Sequence, residues 1–574
     1  MKIESIDYYN NYSFVVSFLI NGVKCTGELI IEQTKLPILK IKNSEGNIEY
    51  HESLDIEGDV LCEEVVGRNS FRLHGCECSY GIVYPKFITN GHQSYKSNKL
   101  QVFLTGISEW FDGMRGYNYE NEKFTRDISI DKMKASFHFK GVKYEVENDR
   151  DVNVISDSTT NHTINIEYSL FITKGKGIIS YDEVSDIIRE IRNLFSILLG
   201  TSLSVKCLFL ISKDSNKKYS SIYFYQHRYD EKPLRHIHET FCPFSYIMKC
   251  NLFPTIIESF FAKKSFSTIW NRLIPIFNGV ETWDLDILSN VVALEMYCSL
   301  VSRGQGHKLD LEIFNKLKDG LVDFISDFSS KYDLNDSDLS LLEGLKSAVN
   351  GLKNTSHPTL KEKYEFLLEG VSPSIKEAIA FSENDFNVIR KIRNSVAHGL
   401  KYSTLKKGDI TQELQIKSRL TLFLMYLAYR ELGFSDEQFA FCIHYTHSPI
   451  LRGSGYNERG VDKLAKTAEF ITLDKISLND YITHKPIVIW RDLSNDSYSL
   501  DENLSYEVQN NWPDNKHKDA RDFVRSFITE AVTIDYLSKV YLNNGECEKL
   551  HYGVLLVVKC AEDMDNDHCS QLIV

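Results

Sequence analysis

The sequence predicts an α+β multidomain protein, and changes of pattern along its 574 residues carry that reading. Residues 1 to about 175 read mostly as strands. From Trp283 the apolar spacing turns helical for about 150 residues, and after Gly433 it becomes mixed. The chain is too long for a single hydrophobic core. The expected organisation is a β-rich N-terminal domain over 1–245, a helical linker over 246–282, an all-α bundle over 283–432 and a mixed α/β C-terminal domain over 433–574.

The β-rich reading begins at Tyr12–Ile20, where aromatic and β-branched residues dominate. The run meets Asn21-Gly22, a pair that tolerates the positive φ of a two-residue hairpin turn, and Val23–Ile31 answers as its partner strand. Residues 133–139 and 164–171 are further strands, which together predict a β-sandwich or barrel. Residues 182–199 differ. Val184, Ile187, Ile188, Ile191, Leu194 and Leu198 recur at helical spacing, and Gly200 closes the run. Strand-like sequence then resumes up to about Tyr225. In the helical part the spacing predicts helices over 286–303, 311–329, 336–353, 359–369, 373–381, 383–398 and 409–432. Their short polar connections imply antiparallel neighbours in a bundle. Beyond Gly433, strands are expected near 440–445, 485–490 and 554–559, with a helix over 518–540. No internal repeat is present.

Composition narrows the class. Hydrophobic content of 43% and charged content of 25% are ordinary globular values. Only 11 prolines and no low-complexity tract argue against long disordered linkers. A net charge of -13 disfavours a protein that coats nucleic acid over its whole surface, while leaving room for a small basic site. None of the 12 cysteines forms a Cys-x-x-Cys pair, and their irregular spacing predicts reduced thiols rather than a disulfide framework. Met1–Ser5 lacks the basic and apolar blocks of a signal peptide, and no run approaches the roughly 18 apolar residues of a membrane span. A soluble, cytoplasmic protein is expected.

Chemistry concentrates at Arg393-Asn394-Ser395-Val396-Ala397-His398-Gly399. From Phe386 to Gly408 there is no Asp or Glu, while Arg390, Lys391, Arg393, Lys401, Lys406 and Lys407 fall in the same window. In an acidic chain that local excess points to an anionic ligand. Ser382 suits the N-cap of the 383–398 helix, Asp385 the fourth place of a capping-box-like start, and Gly399 the left-handed position past its end. Val388, Ile389, Ile392 and Val396 share one face and should bury. Arg390, Asn394 and His398 lie along the opposite side, with Arg393 on the boundary. Cleavage of RNA by its own 2′-hydroxyl needs a base, an acid and positive charge at phosphorus. His398 can serve as base or acid, because imidazole titrates near neutral pH. Arg393 can hold a phosphate in a bidentate manner, and Asn394 can orient the ring or bind phosphate. Arg393 and His398 diverge by about 140° on an ideal helix, so one copy aims them badly at one phosphate. Two copies meeting across a two-fold axis would bring two Arg and two His to a shared cleft, which argues for a dimer. The competing readings are a non-catalytic RNA- or nucleotide-binding module, and a capped, solvated helix end with no ligand.

Arg393-Asn394-x-x-x-His398 at the end of a late bundle helix resembles the R-x4-6-H motif of HEPN ribonucleases. The order of β-rich region, helical linker and bundle is similar to ApeA-type proteins of bacterial antiphage defence. The resemblance covers residues 1–432, whereas 433–574 matches no family pattern. It implies a HEPN endoribonuclease that needs no metal or other cofactor and halts growth of an infected cell. The implied partners are RNA, with tRNA among the candidates, a second or further copy of the chain and a phage-encoded trigger. It implies catalytic roles for Arg393, Asn394 and His398. Glu295, in Ala293-Leu294-Glu295, resembles a recurrent acidic position of such bundles and is expected to support the site. Arg390, Lys391, Lys401, Lys406 and Lys407 are expected to bind RNA, and no membrane is involved. Other signals are weak. His236-x-His238, Cys76-x-Cys78 and His444 with His447 lack metal-ligand spacing. The glycine-rich stretch 452–460 lacks the Lys-Ser/Thr of a phosphate loop.

Overall fold

A computed structural model describes residues 6–20, 22–33, 35–44, 54–56, 58–91, 97–112, 118–120, 123–125, 131–156, 162–211, 218–226, 237–278, 282–303, 308–354, 358–398, 411–473, 485–512, 519–529, 532–545 and 547–559. The chain forms two compact units. The first takes residues 1–372, 381–434 and 446–455, and the second takes 373–380, 435–445 and 456–574.

The first unit opens with the expected hairpin. Tyr12–Ile20 and Val23–Ile31 pair antiparallel in register from Tyr12↔Ile31 to Ile20↔Val23. Gly22 supplies a φ of 81° in the turn. Phe14, Val16, Phe18 and Ile20 alternate inward, as a half-buried strand requires. The ladder continues through fifteen strands, from Lys134–Phe139 at one end to Leu54–Asp55 at the other. The short pairing Ile222↔Thr89 and Tyr223↔Ile88 joins its two halves. The sequence leaves sandwich and barrel open. Among the described residues the two terminal strands do not pair with each other, so the ladder is open rather than a closed barrel.

The Tyr181–Leu199 helix begins at a capping box in which Ser180 accepts from the Glu183 N–H, and ends at Gly200 with φ 66°. Every residue from Ile191 to Leu199 is buried, so this helix forms part of the core itself. Its last carbonyls are satisfied from outside the helix. Phe241 N–H donates to Leu199 O at 2.9 Å, and the Tyr429 hydroxyl donates to Leu198 O at 2.7 Å. The linker is helical at Phe244–Lys249, Phe253–Ala262, Lys264–Thr268 and Leu273–Asn278.

All seven helices expected in the bundle region are present, in three different settings. The first bundle helix, Trp283–Val301, packs against Leu360–Glu369, Glu383–Ala397 and Thr411–Glu431. The last of these is buried continuously from Leu420 to Tyr429. Leu311–Lys331 and Asp336–Asn350 form a hairpin that has no buried residue. Pro373–Ile379 belongs to the second unit, where it packs on Glu458–Ala465.

The second unit carries a mixed five-stranded sheet in the order Glu469–Thr472, Val532–Asn543, Glu548–Lys559, Ile487–Asp492, Ser497–Asp501. The strands expected near 485–490 and 554–559 are there, but two other expectations fail. The 440–445 segment is helical within Asp436–Tyr445. A short apolar run does not separate a strand from a buried helix, and burial of Phe439, Ala440, Cys442 and Ile443 follows the helical period. The 518–540 helix is only Ala520–Arg525, after which Val532–Asn543 is a strand. Its β-branched and aromatic residues pair with Glu548–Lys559 from Val532↔Lys559 to Asn543↔Glu548, and that ladder outweighs any helical spacing. No helix among the described residues is long and apolar enough to cross a membrane.

Candidate functional site

The helix that carries the basic motif, Glu383–Ala397, is anchored at its start. At its start the Ser382 side chain accepts from Asp385 N–H at 3.1 Å, the expected cap. The Asp385 carboxylate does not return to the cap backbone. It accepts from the Ser382 hydroxyl at 2.8 Å and from Arg419 Nη1 at 3.3 Å. Arg419 also donates to Ser454 O at 2.9 Å and to Gly455 O at 2.6 Å, so it ties the motif helix to the last bundle helix and to the 446–455 segment. Sequence reading missed Arg419, because its partners lie 34 to 36 positions away.

Along the helix, Ile389 and Ile392 are buried with Phe386, while Val388 and Val396 are half-buried. Arg390, Asn394 and His398 are exposed on the opposite side, Lys391 is exposed as well, and Arg393 is intermediate. This is the division expected from the 3.6-residue period. The helix stops at His398, whose backbone N–H still donates to Asn394 O at 3.1 Å and whose φ of -97° leaves the helix.

Arg393 is the connected residue. Its Nη2 donates to Glu295 Oε2 at 3.2 Å, and its Nη1 donates to Asn394 Oδ1 at 3.1 Å. Glu295 projects from the first bundle helix, so the pair bridges two helices that are 98 positions apart at this point. The structure thus joins Glu295, Arg393 and Asn394 through direct contacts, and leaves His398 exposed one turn beyond Asn394. Gly399, Lys401, Lys406 and Lys407 lie outside the described residues.

The Arg393–Glu295 pair is partly open to solvent, with side-chain exposures of 39% and 32%. A pair of that kind is worth only about 0–1 kcal/mol, so a phosphate can take the guanidinium from the carboxylate at little cost. Deeper in the same bundle, Lys417 pairs with buried Asp286 at 2.5 Å, and Asn290 and Thr421 are buried beside each other. That buried polar set holds the first and last bundle helices together.

Two family models match the chain. ApeA N-terminal domain 1 matches residues 19–263, and Apea-like HEPN matches residues 288–438. Glu295, Arg393, Asn394 and His398 all fall within the second match. No curated protein and no solved structure matches.

Proposed function

The chain is a HEPN protein of the ApeA type, and from that premise we propose that it is a metal-independent endoribonuclease of antiphage defence. The observation that carries this reading is the bridged Arg393, held beside Asn394, with an exposed His398 one turn beyond Asn394. In the proposed reaction His398 or its counterpart in a second copy takes the proton of a 2′-hydroxyl. The 2′-oxygen then bonds to phosphorus, and the bond to the 5′-oxygen breaks. A second imidazole protonates the leaving oxygen, so the products are a 2′,3′-cyclic phosphate and a 5′-hydroxyl end. Arg393 leaves Glu295 and stabilises the charge that builds on the phosphoryl oxygens. Exposed Arg390 and Lys391, with Lys401, Lys406 and Lys407, form the electrostatic path for the RNA backbone.

The test is a matched pair of RNA substrates, one with a single 2′-deoxyribose at the cut site, each assayed with and without EDTA. The RNA should be cut in both buffers, and the deoxy substrate should stay intact. Equal cleavage of the two substrates would mean that water is the nucleophile. Cleavage lost in EDTA and restored by a divalent ion would remove the metal-independent mechanism.

A further inference from the structure

The helical hairpin of Leu311–Lys331 and Asp336–Asn350 carries an apolar face that nothing in its own fold requires. Its open end is closed by Asn354, which accepts from Leu309 N–H at 3.0 Å and donates to Leu309 O at 2.8 Å, so the two helices run antiparallel. Half-buried Phe314, Lys318, Val322, Ile325 and Ser329 mark the side of the first helix that meets the second. Asp338, Leu342, Lys346 and Val349 mark the corresponding side of the second. These positions account for the hairpin's own packing.

One position earlier, about 100° around the helix, lies a second stripe. On the first helix it is Ile313, Leu317, Leu321, Phe324 and Phe328, and on the second it begins with Leu341 and Leu345 and extends to Leu352. These side chains are between 37% and 67% exposed. Because the helix axes are opposed, the same rotation brings both stripes to the same side of the hairpin. They form one continuous face. Eight large side chains at that exposure present on the order of 800 Å² of apolar surface, above the roughly 300–600 Å² of a monomer's largest patch and comparable to one side of a standard interface.

The charges along its edge identify the occupant. One further position around the first helix come Glu312, Lys316, Gly320, Asp323, Asp327 and Lys331. A second hairpin laid face to face across a two-fold axis between Leu321 and Val322 puts Glu312 level with Lys331 and Lys316 level with Asp327. Each match occurs twice by symmetry, and Asp323 falls opposite Gly320 rather than another acid. The corresponding edge of the second helix is Asp336, Ser340, Gly344 and Ser347, whose one charge lies at the helix start and meets no like charge across the two-fold axis. An antiparallel copy therefore buries both stripes in a four-helix arrangement and sets opposite rim charges level with one another, alongside the Glu312–Lys316 pair already made within each helix. We propose that this hairpin is a self-association surface whose occupant is the same hairpin of a second copy of the chain. The proposal stands independently of the nuclease reading, since it uses none of the motif residues.

The test uses the full chain bearing Leu321→Cys, because Leu321 lies beside the two-fold axis. Mild oxidation should give a disulfide-linked dimer above the background set by the unmodified chain. Adding Glu312→Lys and Asp327→Lys leaves four like charges on the rim and should lower the cross-linked fraction about tenfold at a fixed concentration. The complementary variant, Lys316→Glu with Lys331→Glu, should fail alone in the same way. An equimolar mixture of the two should restore cross-linking as a mixed dimer. The altered residues are exposed, so the fold is retained, and circular dichroism checks this. No cross-link at Leu321→Cys, a cross-link unaffected by charge, or no rescue in the mixture would each overturn the proposal.

Discussion

His398 is exposed, and Arg393 is only half-buried, so both can be removed without opening the core. His398→Ala and Arg393→Ala should therefore keep the wild-type thermal transition while losing cleavage. Removing a phosphate contact that strengthens in the transition state costs a few kcal/mol, on the order of a hundredfold or more in rate. Asn394→Ala should be milder if it only orients neighbouring groups. Retained cleavage in the His398 variant would remove imidazole chemistry from the proposal. Glu295 makes a distinct prediction, because it occupies the same guanidinium that a phosphate would need. Glu295→Gln should tighten RNA binding by a few-fold with little change in stability, in keeping with a partly exposed pair worth at most about 1 kcal/mol. Weaker RNA binding in that variant would mean that the carboxylate positions Arg393 rather than competing for it.

At the scale of elements, the Tyr181–Leu199 helix offers a pH-dependent test. Glu183 accepts from the Ser180 backbone N–H at 2.8 Å, and Lys174 Nζ sits 2.7 Å from its carboxylate. Burial pushes the Glu183 pKa up, but the hydrogen bonds from Lys174 and the Ser180 backbone outweigh it, and the net shift is downward. A carboxylate whose pKa falls on folding stabilises the native state above its unfolded value, near 4.3, and loses that contribution as pH drops through the lower folded value. Glu183→Gln keeps a capping group and removes the charge. Its amides in the first helical turn should exchange faster than wild type at neutral pH, by up to about 1 kcal/mol in local stability, and the gap should close in acid. A gap independent of pH would assign the effect to packing instead.

At the scale of the whole molecule, the first unit ties the β-rich region, the linker and the bundle through their polar contacts. The Tyr429 hydroxyl caps the central helix, and Trp270 Nε1 donates to Glu431 Oε2 at 2.7 Å. Movement of the β-rich region or linker would thus be felt at the last bundle helix, beside the motif helix. Arg393 turns to the first bundle helix while His398 is exposed at the helix end, which fits the angular divergence that argues for a composite site. Full-length protein should therefore self-associate with its motif ends facing, and His398→Cys should cross-link between copies. Light scattering that finds only monomer at micromolar concentration, together with no such cross-link, would leave each copy with a single misaligned Arg–His pair and refute the shared cleft.

What the sequence determined by itself was local. Ser382, Ser180 and Gly200 set helix ends through capping chemistry that needs only near neighbours, and Asn21-Gly22 set a hairpin for the same reason. The 3.6-residue period placed Arg390, Asn394 and His398 on the open side of their helix, because burial of Ile389 and Ile392 leaves no other choice. Tertiary structure decided whatever depended on partners distant in the chain. It made 440–445 a buried helix and 532–543 a strand, since a short apolar run takes the form its neighbours can bury or pair. Among the described residues it left the fifteen-stranded ladder open, and it removed Pro373–Ile379 from the first unit. It brought Arg419 to Asp385 and Glu295 to Arg393, contacts that no periodicity encodes, because they join side chains on separate helices whose relative rotation is fixed only when the bundle packs.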